Sequence, residues 1–269
     1  MLMRSGVRDL PLWAYLPAVV GMALVVLPPL AMVEKTPWHD FTSLVGSESS
    51  RQALELSLKT AALSTLLCLL LGVPMAMVFA AHDGVVMRIA RSLVLLPLVL
   101  PPVVGGLALL YTFGRFGLIG KHLSAWGIEI GFTTAAVVLA QTFVALPFLV
   151  ISVEGALRTT GTRYQQVAAT LGASPTRVLW RITVPLLIPS LLAGAVLSFA
   201  RALGEFGATI TFAGNRPGIT QTAPLAIYVQ QIDDPNQALP LSMVLVAISL
   251  VVVVAVHGRA RRRRGVAAI

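Results

Sequence analysis

Apolar residues in this chain come in long runs rather than in the short stripes of a half-buried surface helix. Six stretches, near 11–33, 54–80, 92–113, 132–152, 189–213 and 239–257, are predominantly apolar. Each reaches the length of about 20 residues that an α-helix needs to cross a hydrocarbon core roughly 30 Å thick. All six must be helical, because an isolated strand would leave its backbone N–H and C=O groups unpaired in lipid. The pattern predicts an all-α, polytopic integral membrane protein of six spans. Prolines at 28, 29, 74, 97, 101, 102 and 147 fall inside or at the ends of these runs, where neighbouring helices or water can satisfy the freed backbone groups. The densest cluster of breakers, Pro97 to Gly106, predicts a third span that is bent or partly unwound. Such a span is either part of a translocation path or a kinked packing helix.

Polar positions set the orientation. With the N-terminus inside, the internal segments carry Arg4, Arg8, Arg88, Arg91, Arg158, Arg163, Arg177, Arg181, Arg259 and Arg261 to Arg264. The external ones carry only Lys35, Arg51, Arg115, Lys121 and Arg216. That excess predicts both termini in the cytoplasm, with the Arg259–Arg264 run against the anionic inner leaflet. The first apolar run, Pro11 to Val33, is longer than the core of a secretory signal and has no convincing small-x-small site before Val33, so it reads as a retained anchor. The external connections, about 34–53, 114–131 and 214–238, are too short to fold as domains. A separate external protein must therefore capture any scarce substrate.

Composition agrees. Hydrophobic residues make up 57% of the 269 and charged residues 12%, with mean hydropathy +0.85; soluble domains lie near 45–50% and about 25%. The formal net charge of +9 follows from loop arginines, and no motif or aromatic-interleaved basic face points to nucleic acid. Cys68 is the only cysteine and reads as a small buried hydrophobe. His39, His82, His122 and His257 have no partners at metal-ligand spacing. The stretch Gly114 to His122 has the wrong spacing for a phosphate loop and no Ser or Thr after its lysine. Lys59 reads as an interfacial anchor. No cofactor is expected in this chain.

One polar internal segment stands out. Arg163 to Leu171 is free of breakers and predicts a helix, with Val167, Ala168 and Leu171 on one face. Gly172 sits where that helix would end in the left-handed conformation. Ser174-Pro175 reads as an N-cap and first helical position. A second short helix is expected from Thr176 to about Thr183, turning Val178, Leu179 and Ile182 inward and Arg177 and Arg181 outward. The whole is a helix–glycine turn–helix with small residues at its tip.

The segment resembles the EAA loop of ABC-importer permeases, Glu-Ala-Ala-x3-Gly-x9-Ile-x-Leu-Pro. Here it stands as Gln166-Val167-Ala168-x3-Gly172-x9-Ile182-x-Val184-Pro185. Glycine, spacing, isoleucine and proline agree; Gln166, Val167 and Val184 replace Glu, Ala and Leu. The resemblance implies a type I ABC-importer permease fold and a coupling loop, about 153–188, that docks on a cytoplasmic ATPase through Gln166, Val167, Ala168, Gly172, Ile182 and Pro185. It also implies a homodimer, two ATPase subunits and one external oxyanion-binding protein, so that ATP hydrolysis takes place on another chain and this one is not an enzyme.

A second stretch, Ser198 to Thr209 followed by Phe212-Ala-Gly-Asn215, Pro217-Gly218, Thr220-Gln-Thr222 and Pro224 to Tyr228, resembles permeases for molybdate and related oxyanions. Its Arg-Ala-x-Gly-Glu-Phe-Gly core is shared with sulfate permeases, and its continuation favours molybdate or tungstate. Arg201 and Glu205 are one helical turn apart in the fifth span. Charges at such depth cost about 2.5–3.5 kcal/mol each on insertion scales and mark function by default. They either line the substrate path or its gate, or form a strut tying helices or subunits; Gly204 and Gly207 allow close approach of a neighbour.

The expected organisation is an anchor span and external loop at 1–48, a permease core at 49–257 and a basic tail at 258–269. A self-sufficient secondary transporter is the rival, with only Glu205 and Glu55 to couple ions and no inverted repeat evident. A membrane-embedded enzyme would need a catalytic constellation that the spans do not contain.

Overall fold

The computed structural model describes residues 11–161 and 163–266, with backbone alone for 12, 163–166 and 255–266. Its helices are α1 (Tyr15–Lys35), α2 (Phe41–Val45), α3 (Glu48–Ala81), α4 (Val85–Val99), α5 (Pro102–Phe113), α6 (Gly120–Ala125), α7 (Thr134–Thr160), α8 (Arg163–Thr170), α9 (Pro175–Val178), α10 (Val184–Leu203), α11 (Gly207–Ala213), α12 (Ala223–Asp233) and α13 (Pro235–Val266). No strand occurs among the described residues. Five continuous helical stretches are long and apolar enough to cross a membrane, and α4 with α5 forms a sixth, bent by 118°.

The centre of the bundle is α7, flanked by α3 and α10. Thr133 caps α7, its hydroxyl accepting from the Ala136 amide at 3.4 Å. Ser64 meets Thr142, Gly72 meets Leu149, and the Phe79 carbonyl meets Arg158, so α3 and α7 run parallel. Ser190 meets Ser152 and Ser198 meets the Ala145 carbonyl, so α10 runs antiparallel to α7. The parallel pair requires the chain to cross back between them, which α4 and α5 do.

Close packing comes from small residues. Along α3 the buried face reads Ser50, Ala53, Ser57, Thr60, Ala61, Ser64, Cys68, Gly72 and Ala76 before the larger Phe79. In lipid there is no solvent to drive two apolar helices together, so association rests on van der Waals contact and interhelical hydrogen bonds, which small and hydroxyl side chains favour. A Cβ on Gly72 would lie 2.9 Å from Leu149, and one on Gly194 also 2.9 Å from Leu149. The α1 helix buries no residue, and its main contacts among the described residues are with α13 and its own N-terminal turn.

Several boundaries differ from expectation. Ser47 starts α3 by accepting from the Ser50 amide, and the polar first turn, with Glu48 paired to Arg51, is helical too. The α7 helix runs eight residues past 152 to Gly161, whose φ of +68° ends it. The expected second short helix near 176–183 is not separate: α9 passes through a π-turn, Leu179–Thr183, straight into α10. Pro185 explains the π-turn, since it has no N–H to give and crowds the carbonyl one turn back; the helix widens and the Val184 amide bonds Leu179 instead. The expected unbroken span 189–213 is also corrected. Its helix starts upstream and stops at Leu203, and α11 is a separate piece after a break at Gly204–Phe206.

Candidate functional site

Two interrupted helices meet halfway along α7. The first break follows from consecutive prolines. Leu100, preceding Pro101, takes an extended ψ of 134°, as the bulk of a following proline demands. Pro101 does the same before Pro102, and Pro102 then starts α5 at a position where no N–H is needed. The second break lies between α10 and α11, where Glu205 does two jobs. Its Oε2 is 2.7 Å from Arg201 Nη2, and its Oε1 accepts from the Ala208 amide at 2.8 Å, capping α11. Arg201 lies in the last turn of α10 and Glu205 lies outside it, so the expected pair within one helix is instead a pair across a break.

The two breaks abut. A Cβ on Gly207 would fall 2.5 Å from Pro102 Cβ; one on Gly106 would fall 2.7 Å from Thr211 and 2.8 Å from the Ala208 carbonyl. Gly207 and Gly106 thus let α5 and α11 touch backbone to backbone. Gly204 is not in close contact and serves as the turn between α10 and Glu205.

Between α4, α5, α7 and α10 lies a cavity of about 200 Å³ lined by Pro97, Leu98, Leu100, Pro101, Pro102, Gly105, Phe143, Val144, Phe148 and Arg201. It is apolar except for the arginine. The Arg201 side chain is 31% exposed, whereas Glu205 is only 1% exposed, so the cation is reachable and its counter-ion is not. Nearby on α7, Gln141 is wholly buried and its amide has no partner among the described residues. Sequence reading overlooked Gln141, although an amide amid an apolar run was there to be noticed.

The second assembly is the elbow. Gly172 has φ +78° and open space where a Cβ would stand, matching its expected role as the left-handed end of α8. The amides of Leu171, Gly172 and Ala173 close that end on Val167, Ala169 and Ala168. Val167 is 54% exposed and Leu171 83%, so α8 turns an apolar face away from the rest of the chain. The side chain of Gln166 lies outside the described residues. Beyond the turn, Val178 is buried, Leu179 and Ile182 half-buried, and Arg177 and Arg181 exposed, as the spacing predicted. Pro185 is exposed in the first turn of α10. A cavity of about 410 Å³ separates the elbow from the ends of α3 and α7, lined by Met77, Ala80, Leu157, Ala169, Ala173 and others.

A third feature, missed at the sequence level, joins the ends of α3, α4 and α7. Glu154 Oε1 accepts from Arg91 at 2.8 Å and from Arg158 at 2.9 Å. Both arginines also donate to the Phe79 carbonyl at the end of α3 and to Asp83. The hydrogen bond from Arg158, reinforced by its charge, holds the exposed Asp83 carboxyl below its usual range. Glu154, an acid closing a long apolar run, was the available signal.

Comparison with known proteins places these features in a family. The profile of the family described as binding-protein-dependent transport system inner membrane component matches residues 69–264. The molybdenum transport system permease protein ModB of Mycobacterium tuberculosis is 59% identical over 251 residues, covering 93% of this chain and 95% of that one. The protein of the same name from Escherichia coli is 40% identical over 203 residues, 74% of this chain and 89% of its own. Among solved structures, a bacterial alginate ABC transporter in complex with an alginate-bound periplasmic protein superposes with a TM-score of 0.70 at 17% identity. It covers 93% of this chain and 94% of its own, a likeness of fold.

Proposed function

Because this chain belongs to the family of binding-protein-dependent transport system inner membrane components, we propose that it is the membrane subunit of an ATP-driven importer of molybdate. The observation that carries the reading is 59% identity to a molybdenum permease across nearly the whole length of both chains. The chain is a multi-pass transporter subunit, not an enzyme in itself. In this reading ATP is hydrolysed by two partner ATPase subunits, two copies of this chain form the path, and an external binding protein delivers the oxyanion. Both termini face the cytoplasm.

The elbow is the coupling element. Its exposed Val167 and Leu171 and its side-chain-free tip at Gly172 suit insertion into a groove on the ATPase, with Gln166 and Ala168 at the same contact and Ile182 and Pro185 behind it. Closure of the ATPase pair would move the elbow and switch the bundle between outward and inward access. Arg201 lines the path or its gate, and Glu205, Gly204 and Gly207 form the helix break that holds it there.

Reconstitution tests this reading. The chain, its ATPase and its binding protein are placed in liposomes, and uptake of molybdate, tungstate and sulfate is followed with and without ATP. ATP-dependent uptake that prefers molybdate is expected. Uptake by the chain alone, driven by a pH gradient, would establish the secondary-transporter rival and overturn the proposal.

A further inference from the structure

We infer that Arg201 is a relay site for the transported dianion: the oxyanion displaces Glu205 from the guanidinium as it enters the cavity and yields to Glu205 as it leaves. The inference rests on the import function proposed above.

Four observations support the exchange. The cavity of about 200 Å³ has one charged lining residue, and that residue is a cation. Arg201 is the accessible member of the pair and Glu205 the buried one, so a solute in the cavity meets the guanidinium first. Glu205 does not depend on Arg201 for its position, because its other oxygen is held by the Ala208 amide. Finally, the ion pair engages Nη2, while a guanidinium presents five N–H donors in a planar fork that fits two oxygens of an oxyanion at once.

Charge explains why a pair serves better than a lone arginine. An unpaired cation in a low-dielectric site would hold a dianion too long for transport. Glu205 neutralises Arg201 at rest, and after displacement it stays within reach and repels the dianion. Occupancy is therefore brief, favourable enough to enter and weak enough to leave. A strut, the alternative for these residues, would have no use for an accessible cation facing a cavity.

The test measures retention of radiolabelled molybdate by equilibrium dialysis on the purified complex of permease and ATPase without binding protein, and ATP-driven uptake in liposomes with the binding protein added. Glu205→Gln, which can still accept from the Ala208 amide, is expected to retain molybdate about tenfold or more tightly than the wild type and to release it slowly, since a charge-assisted bond is no longer contested. Arg201→Gln is expected to retain none and to lose uptake by about tenfold or more. Arg201→Lys, a point charge without the fork, should fall between. The charge-free pair Arg201→Met with Glu205→Gln leaves no unpaired charge to unfold the bundle, and it should assemble and lose uptake. A strut instead gives lower stability in both single variants and no gain in retention. Unchanged retention by Glu205→Gln, or wild-type uptake by the charge-free pair, overturns the relay. A wild-type complex that imports no oxyanion overturns the parent reading instead, so the two failures are distinguishable.

Discussion

Replacing Gly207 with alanine puts a methyl group 2.5 Å from Pro102 Cβ and 3.5 Å from two of its backbone atoms. Carbon atoms pack at about 3.5–4.0 Å, so the two helices must separate by roughly 1 Å. The pyrrolidine ring cannot swing aside as a flexible side chain would, and α5 or α11 has to shift as a body. Overpacking of this kind costs about 1–3 kcal/mol. The shift also displaces the Ala208 amide that holds Glu205, so uptake should fall as well as stability. Gly155→Ala is the control. It lies inside α7 with nothing within 4 Å of its added methyl, and alanine exceeds glycine by about 0.8–1.0 kcal/mol in helix propensity. Thermal denaturation of the detergent-solubilised protein should place Gly207→Ala below the wild type and Gly155→Ala at or above it. Pro102→Gly removes the opposing Cβ, so Gly207→Ala should cost less in that background, a coupling that a double-mutant cycle reads directly. A Gly207→Ala protein with wild-type midpoint and wild-type uptake would show that the two breaks do not bear on each other.

Further outcomes follow from the elbow end of the bundle. Gly172→Val meets no clash, only the strain of a β-branched residue at φ +78°, about 1–2 kcal/mol; the protein should insert normally while ATP hydrolysis is uncoupled from uptake, and normal transport would contradict the elbow assignment. Glu154→Gln weakens the bonds to Arg91 and Arg158, which are only partly exposed, and should lower stability by about 1–3 kcal/mol in a denaturation midpoint. Because the Asp83 carboxyl is lowered from 3.8, its contribution is complete above that value and lost as pH falls through the lowered one. Stability against pH should therefore lose an acid-side component in Asp83→Asn, and identical profiles for the two proteins would refute the pairing.

Much of the architecture was legible in the run lengths. A stretch of some 20 apolar residues has few alternatives to a spanning helix, and the proline cluster announced the break at Leu100–Pro101 because the residue before a proline resists the α conformation. Gly172 was legible for a similar reason: a glycine after a breaker-free helical segment has a local job, and local jobs are written in local sequence. The break at Gly204–Phe206 was not legible. Hydropathy counts side chains and is blind to the backbone, so Glu205 looked like an ionic insertion in a continuous helix, whereas its carboxylate caps the next one. The joining of α9 to α10 was hidden by the opposite effect. A short helix ending near Thr183 was expected, but the π-turn at Leu179–Thr183 carries it on past Pro185. The Arg91–Glu154–Arg158 cluster involves residues 63 apart in sequence and follows from the packing of α4 against α7, which no local pattern encodes.

The elbow and the cavity are linked by two routes, the first covalently continuous and the second crossing one ion pair. One runs from the Gly172 tip through α9, the π-turn and α10, without a break, to Arg201. The other runs back along α7 to Glu154, crosses to α4 through Arg91, and follows α4 to Pro97 and Leu100 in the cavity wall. Both routes arrive at the point where the helices are interrupted. A rigid helix transmits a push along its axis, and an interruption is where that push can become a change of angle. The Gly207–Pro102 contact then obliges α11 to follow α5, so the second pieces of two interrupted helices respond together. Glu205, whose side chain is bonded to both sides of the second break, ties the two pieces together there.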